Sequence, residues 1–493
     1  MNINVKLNRN FQTQFNKLQE EYGEEFLKLQ GLNSSKLDFT DFIDGFIDSD
    51  NVANASIDAN SNISQKDIVT LLSEMSKPHK KMLAFNKIYY ELNKRYGFKI
   101  ANNILRKIWS YDIYLHDFDT STFYSYCFAY DIKDIAEKGL FFIDGYNAEP
   151  AKHLDSFIQI LMEAVAWLSR RQSGAVGMPN LIPYLYYYWS RDVAQGYYTE
   201  TPEKYRDQNL QALIYRLNQP WVRQDQAAFT NVSIFDHPYF EAIFGGSEFP
   251  NGDLMIDEEE EIIEFQKHFI RIVNEIREKN IFTFPILTAS LLYQNGKFVD
   301  EDFAKWACEA SRKWNIFNFF TDSSVNSLSN CCRLKSDVTE LYFNSIGGTA
   351  LKVGSVKVGT LNLARLAYKN STEEEYLKEL AELTKLDLIL LDVIRLIIGR
   401  NVEKGLLPNF SHGLIDFEHL YNTVGVNGIY EAIKTFGYIE KDKFGNTYYT
   451  KEAYNFGKKI FETIHNVIEE FSKDKNYKCN IEQVPKMCGD IAA

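Results

Sequence analysis

The sequence predicts an α/β protein, built as a barrel or as an open parallel sheet. Three observations carry this. Strand-like apolar runs alternate with amphipathic helical stretches over about 400 residues. The chain has 493 residues, 45% of them hydrophobic and 25% charged, which is ample for a large core. No run of about 18 apolar residues exists, so a membrane span is not expected.

Phe11, Phe15, Leu18, Tyr22 and Phe26 recur at spacings of three and four, which predicts a helix within residues 1–35. Residues 33–66 are rich in Asn, Ser and Asp and read as a surface connection ending near an N-cap. The chain thus divides into a helical segment and linker over 1–66, a main body over 67–485 and a tail over 486–493. An α-rich stretch runs from Gln65 to about Trp109. Strands are expected at Tyr111–Leu115, Tyr124–Tyr130, Thr283–Leu287, Phe317–Phe320 and Val353–Leu361. Helices are expected at 151–171, 256–279, 300–313, 373–403 and 449–473. The acidic run Asp257–Glu261 suits a helix N-terminus, where carboxylates meet the positive end of the dipole. His412 and His419, seven apart, would be nearly co-facial on a helix, but two histidines do not make a metal site and none is expected.

The net charge of −13 argues against a general nucleic-acid surface, which should be basic. A pocket for polyanionic nucleotides can still be locally positive. Met1-Asn-Ile-Asn-Val-Lys6 has no apolar signal region. Cys127, Cys308, Cys331, Cys332, Cys479 and Cys488 are too scattered for a secreted disulfide framework, so a reducing cytoplasm is the expected compartment.

Four segments carry candidate chemistry. In Asn326-Ser-Leu-Ser-Asn-Cys-Cys-Arg-Leu334 two cysteines are adjacent. A disulfide between them would be strained, and they lack the spacing of a zinc site. On a tight loop such a pair presents a sulfur for chemistry; otherwise it is two small buried hydrophobes. Tyr114-Leu-His-Asp-Phe118 leads to Cys127 among aromatics, a pattern that also fits plain packing. Arg171-Gln-Ser-Gly-Ala-Val-Gly177 is a small-residue turn suited to close approach of a ligand, or a helix C-cap. Phe343-Asn-Ser-Ile-Gly-Gly348 and Lys352-Val-Gly-Ser-Val356 are glycine-rich turns that could present backbone N–H groups to phosphate.

Taken together, Leu115-His-Asp-Phe118, Tyr126-Cys-Phe-Ala-Tyr-Asp131, Ser173-Gly-Ala-Val-Gly177, Thr283-Phe-Pro285, Asn318-Phe-Phe320, Asn330-Cys-Cys-Arg-Leu334, Phe343-Asn-Ser-Ile-Gly-Gly348 and Gly354-Ser-Val356 resemble the anaerobic, class III ribonucleoside-triphosphate reductases, which are glycyl-radical enzymes. The resemblance runs from about Ala53 to about Pro485. It implies a ten-stranded α/β barrel of two antiparallel five-stranded halves, with a central finger loop. It assigns Cys332, which directly precedes an arginine, as the thiyl site, Cys331 as its neighbour and Cys127 as the second cysteine. It implies reduction of ribonucleoside triphosphates with formate, for deoxyribonucleotide synthesis. Contacts to the nucleotide are expected from His116, Asp117, Ser173, Gly174, Asn330, Arg333, Asn344, Ser345, Gly347 and Gly348. A radical-SAM activase, a homodimer, and deoxynucleoside triphosphate or ATP effectors are the implied partners. The effector site is expected on the helix near 151–171, with Lys152, Arg170 and Arg171 as cations for phosphate.

The sequence departs from that family in two places. The Arg-Val-x-Gly-Tyr radical motif has no counterpart; Thr435-Phe-Gly-Tyr438 is the nearest string and reads as a helix-ending glycine. No Cys-x-x-Cys pair represents the family's zinc module, so no metal is expected. The pattern stops after Asn480-Ile-Glu-Gln-Val-Pro485. The expected barrel is therefore incomplete at its C-terminus, with the glycyl radical supplied by a separate C-terminal reductase fragment. An ATP-cone domain is not recognisable in residues 1–50. The alternatives are a non-catalytic nucleotide-binding remnant and an acyl lyase of the pyruvate formate-lyase kind; Cys127 after the His-Asp segment favours the reductase.

Overall fold

In the computed structural model, the structure describes residues 7–29, 32, 37–48, 67–119, 122–223, 227–280, 282–325, 327–330, 334–337 and 351–483. Three helices come first: α1 (Arg9–Leu29), α2 (Phe39–Asp48) and the long α3 (Ile68–Trp109). Asp67 caps α3 by accepting the Thr70 N–H at 2.9 Å. Phe11 packs on Tyr89 and Phe15 meets Trp109 edge-on at 4.9 Å, so α1 shares one continuous core with the body of the protein.

Strands then alternate with helices: β1 (Ile113–Tyr114), β2 (Cys127–Ala129), α4 (Ile132–Lys138), α5 (Leu154–Ser169), β3 (Val176–Met178), α6 (Leu181–Ala194), α7 (Pro202–Leu217), β4 (Thr230–Phe235), α8 (His237–Phe244), α9 (Glu259–Arg277), β5 (Ile286–Gln294), β6 (Lys297–Phe298), α10 (Glu301–Ser311) and β7 (Phe317–Asp322). The chain continues through β8 (Ser327–Asn330), β9 (Leu334–Asp337), β10 (Val353–Asn362), α11 (Leu363–Lys369), α12 (Glu373–Glu403), β11 (Leu420–Asn427), α13 (Ile429–Thr435), β12 (Ile439–Lys441), β13 (Thr447–Tyr449), α14 (Lys451–Ser472) and β14 (Cys479–Gln483).

Ten of these strands form one mixed sheet. Five run parallel in the order β2-β3-β4-β5-β7. A second parallel group, β10-β11-β14, joins through β10, which is antiparallel to β2. The remaining two, β1 on β10 and β6 on β5, are two-residue antiparallel strands. The expected α/β fold with ten strands is therefore present. Its composition differs from two five-stranded halves: among the described residues the second parallel group has three strands. The separate β8–β9 ribbon approaches β5 and β7 with one strand and β10 and β14 with the other, so it lies between the two ends of the sheet.

Parallel strands covered on both faces have to be buried throughout. β10 is buried along all ten residues and β4 along all six. Helices cover the outside by their apolar stripes. In α9, Ile262, Phe265, Phe269, Val273 and Ile276 face inward at spacings of three and four, while Glu259–Glu261 hold the N-terminal turn. In α12, capped by Thr372, the buried row Leu380, Leu383, Leu390, Ile394 and Ile397 lies against β10 and β11.

Strands β3, β4, β11 and β14 were not expected. β3 has three residues, one of them glycine, and sits inside what reads as a turn. β4 carries buried Thr230, Asn231 and Ser233, which mask its apolar pattern. The helix that would make His412 and His419 co-facial does not form. A helical turn at Pro408–Ser411 ends with His412 as its C-cap, and His419 directly precedes β11, so no helix joins them. No helix among the described residues is long and apolar enough to cross a membrane.

Candidate active site around Cys127

The site is assembled where β2, β3 and β10 meet. α3 ends at its C-cap Ser110, and Tyr111 and Asp117, both at positive φ, turn the chain back into the 115–119 loop. That loop carries His116 and Asp117, and β2 follows with Cys127 buried. The Cys127 sulfur accepts the Ala175 N–H at 3.2 Å.

Glycine at 174 is dictated by this sulfur. A Cβ there would lie 2.3 Å from Cys127 Sγ and 2.8 Å from the Tyr126 carbonyl oxygen. The small-residue turn at 173–177 thus serves close approach by Cys127 itself. Its backbone is tied to the strand before Cys127: Ser173 N–H donates to Ser125 O at 3.0 Å and Gly174 N–H to Tyr126 O at 2.7 Å. Two further contacts lock it. The Tyr130 hydroxyl donates to Gln172 Oε1 at 2.5 Å, and Gln172 donates to the Ala175 carbonyl. Arg223 donates to the carbonyls of Gln172 (3.1 Å) and Ser173 (2.9 Å).

On the other side, Ser355 lies opposite Cys127 and Gly354 opposite Phe128. A Cβ at Gly354 would reach within 2.0 Å of the Cys127 carbonyl oxygen. The Lys352–Val356 segment is therefore no phosphate-binding turn: from Val353 it is a strand, whose glycine permits close strand packing. Ser355 pairs its hydroxyl with that of Thr423 at 2.8 Å.

Beyond Ser355 the β10–β11 register shifts by one residue before Lys357. Bulges commonly re-aim side chains beside sites. The Lys357 side chain is completely buried, donates to the His116 carbonyl and stands 5.6 Å over the Tyr126 ring. Burial pulls its ammonium down to about 8, opposed in part by Asp117, Asp119 and Cys127. Burial alone would raise the Asp117 carboxyl. His116, Lys357, Arg223 and Lys77 outweigh that and hold it below the usual range. His116 has its Nε2 3.4 Å from Asp117 and its Nδ1 3.4 Å from the Tyr114 hydroxyl.

Of the expected site residues, the structure brings together Cys127, His116, Asp117, Ser173 and Gly174. Asn330 ends β8 in register with Leu334. The three residues between them in sequence, Cys331, Cys332 and Arg333, lie outside the described residues, as do Asn344, Ser345, Gly347 and Gly348. Cys308 is exposed on the outer helix α10, and Cys479 on β14 has Arg395, Asp392 and Asp387 of α12 as electrostatic neighbours. Lys357 and Arg223 were missed. A lysine inside an apolar run, Val356-Lys-Val358, is the signal that could have found the first.

Within one chain the three expected effector cations lie at opposite ends of α5. Lys152 precedes the N-cap of α5, while Arg170 and Arg171 follow its C-terminus. Sixteen helical residues separate them, roughly 24 Å. Arg171 folds back over Trp167, 3.7 Å from its ring, and donates to the Trp167 carbonyl. A hollow of about 360 Å³ lies at the N-terminal end of α5, lined by His153, Ser156, Tyr197, Asn209 and Arg216 among others.

A ten-stranded mixed sheet with a buried cysteine beside its central antiparallel junction, and a ribbon between the sheet ends, defines an α/β enzyme of the ribonucleotide reductase type. The family model for anaerobic ribonucleoside-triphosphate reductase matches residues 74–486. The chain belongs to that family. Crystal structures of the anaerobic ribonucleotide reductase from Thermotoga maritima are similar throughout. The complex with dATP and CTP has 34% identity and a TM-score of 0.87, covering 100% of this chain and 79% of that one. The form with dATP in the specificity site gives 34%, 0.86, 100% and 80%, and the form with citrate in the active site 33%, 0.84, 100% and 86%. No curated protein matches the chain.

Proposed function

We propose that the protein reduces ribonucleoside triphosphates to 2′-deoxyribonucleoside triphosphates by thiyl-radical chemistry, with formate as reductant. The observation that supports this most is the Cys127 sulfur, buried on β2 against Gly174, in a protein whose separate β8–β9 ribbon leads in sequence into Cys331-Cys332-Arg333. In this reading Cys332 takes the ribose 3′ hydrogen, which is reversible because S–H and activated C–H bonds are similar in strength. The 2′ hydroxyl then leaves as water. Cys127 gives a hydrogen from the opposite ribose face; its sulfur then shares a disulfide radical anion with Cys332, whose thiol gives up a proton, and formate supplies two electrons, leaves as carbon dioxide and lets Cys332 return as the thiyl. The net balance is ribonucleotide, formate and a proton giving deoxyribonucleotide, carbon dioxide and water. A glycyl radical, supplied by a C-terminal reductase segment after a radical-SAM activase has acted, provides the oxidising equivalent that makes the thiyl group.

His116 and Asp117 flank Lys357, which faces Cys127, and Arg223 holds the 172–174 turn in place. CTP and dATP are bound by the Thermotoga maritima enzyme. We assign ribonucleoside triphosphates as substrates and deoxynucleoside triphosphates or ATP as effectors here, in a homodimer without nucleic-acid or membrane partners. The test is reconstitution. The chain supplied with the C-terminal segment and the activase should convert CTP to dCTP with formate. Cys127→Ser and Cys332→Ser should each abolish turnover. Full activity in either variant would overturn the role given to that residue.

A further inference from the structure

A buried ammonium is normally paired with a carboxylate, because leaving it unpaired forfeits most of its hydration. Lys357 breaks that rule. Its side chain is completely buried, and among the described residues its only hydrogen-bond acceptor is the backbone oxygen of His116. The Tyr126 ring compensates in part. The carboxylates that face it, Asp117 and Asp119 from the 115–119 loop, also face other cations: Lys77 and Lys81 from α3, and Arg223. Lys77 is further paired with Glu74. A chain that is acidic overall therefore gathers cations here in excess of the two loop carboxylates, and one of them has N–H donors to spare. Cys127 also faces Lys357, as does the Tyr126 phenol ring.

We propose that Lys357 is an oxyanion-binding residue: its ammonium, fixed on the His116 carbonyl and over the Tyr126 ring, seats a carboxylate or phosphate oxygen beside Cys127. That this space is the reaction site rests on the proposed function; the binding itself does not. Lys357 is turned toward Tyr126 and His116 rather than into the helix-covered core. A charge-assisted bond to an anion would supply the partner the ammonium lacks. The two sources of such an oxygen are a small carboxylic acid and a phosphate group, of a nucleotide or free.

The test measures binding of formate, inorganic phosphate and CTP to the full chain by ligand-observed NMR, without turnover. Wild type, Lys357→Met and Lys357→Arg are compared. Methionine should weaken binding of the seated ligand about tenfold or more, whereas arginine should stay within about threefold. Loss confined to formate identifies a carboxylate seat; loss for phosphate or CTP identifies a phosphate seat. Unchanged binding of all three in the methionine variant would overturn the proposal, as would no binding to wild type. Should circular dichroism show the methionine variant unfolded, wild type decides by pH. Affinity must fall as pH rises through about 8, and a flat profile overturns the seat. The two readings fail separately. A working reductase with unaltered anion binding in Lys357→Met removes only the seat. Anion binding in a chain that never reduces CTP removes only the reductase.

Discussion

The sulfur of Cys127 occupies the volume that any side chain at residue 174 would need, with 2.3 Å between Sγ and a Cβ built there. Two strands of a parallel pair are thus fitted to each other through one sulfur and one missing methyl group. The pairing joins residues 47 positions apart and gives Gly174 a definite task.

It follows that Gly174→Ala should destabilise the protein by about 1–3 kcal/mol, the usual cost of overpacking a closed site. The penalty should be smaller in a Cys127→Ala background, which removes the sulfur but leaves the Tyr126 carbonyl contact. Urea unfolding of the four proteins in this cycle measures the coupling, expected at about 0.5–3 kcal/mol. Equal penalties in both backgrounds would show that sulfur is not what the alanine meets.

Arg223 offers a second check on the same turn. Its guanidinium donates to two carbonyls, Gln172 and Ser173, both from the terminal nitrogen Nη2, a position at the end of a longer, planar side chain that lysine matches only in part. Arg223→Met should cost about 1–3 kcal/mol in unfolding free energy. Arg223→Lys should recover only part of it. Reductase activity should fall more than stability accounts for, because the 172–174 turn borders Cys127.

How far this site could be read beforehand depends on where its information lies. Helix 373–403 was placed to the residue because an N-cap threonine, three glutamates and a long apolar stripe are all local signals. Cys127, Ser173 and Gly174 were found through the motifs that resemble a family, yet the turn at 173–177 was read as a ligand cradle. Nothing in sequence says that the atom approaching Gly174 is a sulfur from another strand. Buried polar strands were the main loss. In β4 and β11, Asn231, Ser233, Asn422 and Thr423 face the inside of a large sheet, where a simple apolar pattern does not apply. For the effector cations the sequence hides a distance: Lys152 and Arg170 flank one helix, but at its two ends.

Asp236 makes the pH dependence of stability testable. Its carboxylate accepts the Tyr239 N–H, capping α8, and the Leu292 N–H of β5 at 2.7 Å. Burial nonetheless raises it to about 6, with Asp300 adding to the shift against those two N–H donors. The folded state therefore binds this proton more tightly than the unfolded state. Ionisation costs stability in full above pH 6, and the cost disappears as pH falls toward 4, the reverse of a salt-bridged carboxylate. The size is roughly 3 kcal/mol at most. Wild type measured against Asp236→Asn by urea unfolding at about pH 4, 5, 6 and 7 should lose ground as pH rises. A difference that stays constant, or runs the other way, would show that Asp236 is ionised throughout.

The effector site should follow the hollow and not the cations first suspected. Among the described residues Arg216 is the one guanidinium that lines it, with Tyr197 stacked on His153 at 3.5 Å and Asn209 close by. His153 itself is held by the buried Asp192, which also accepts the Tyr205 hydroxyl at 3.0 Å, so the wall is rigid. A ligand bound only by the folded state adds about 2.7 kcal/mol of stability at a hundred times its dissociation constant. dATP should therefore raise the melting temperature of wild type in differential scanning fluorimetry and shift sedimentation toward a dimer. Arg216→Ala should remove most of that shift, since one charge-assisted phosphate contact carries roughly 1.5–3 kcal/mol. Arg170→Ala with Arg171→Ala should leave it intact, because both lie beyond the other end of α5, roughly 16 Å or more past Gln159 at the edge of the hollow. A shift that survives in Arg216→Ala and vanishes in the double variant would return the site to the other end of the helix.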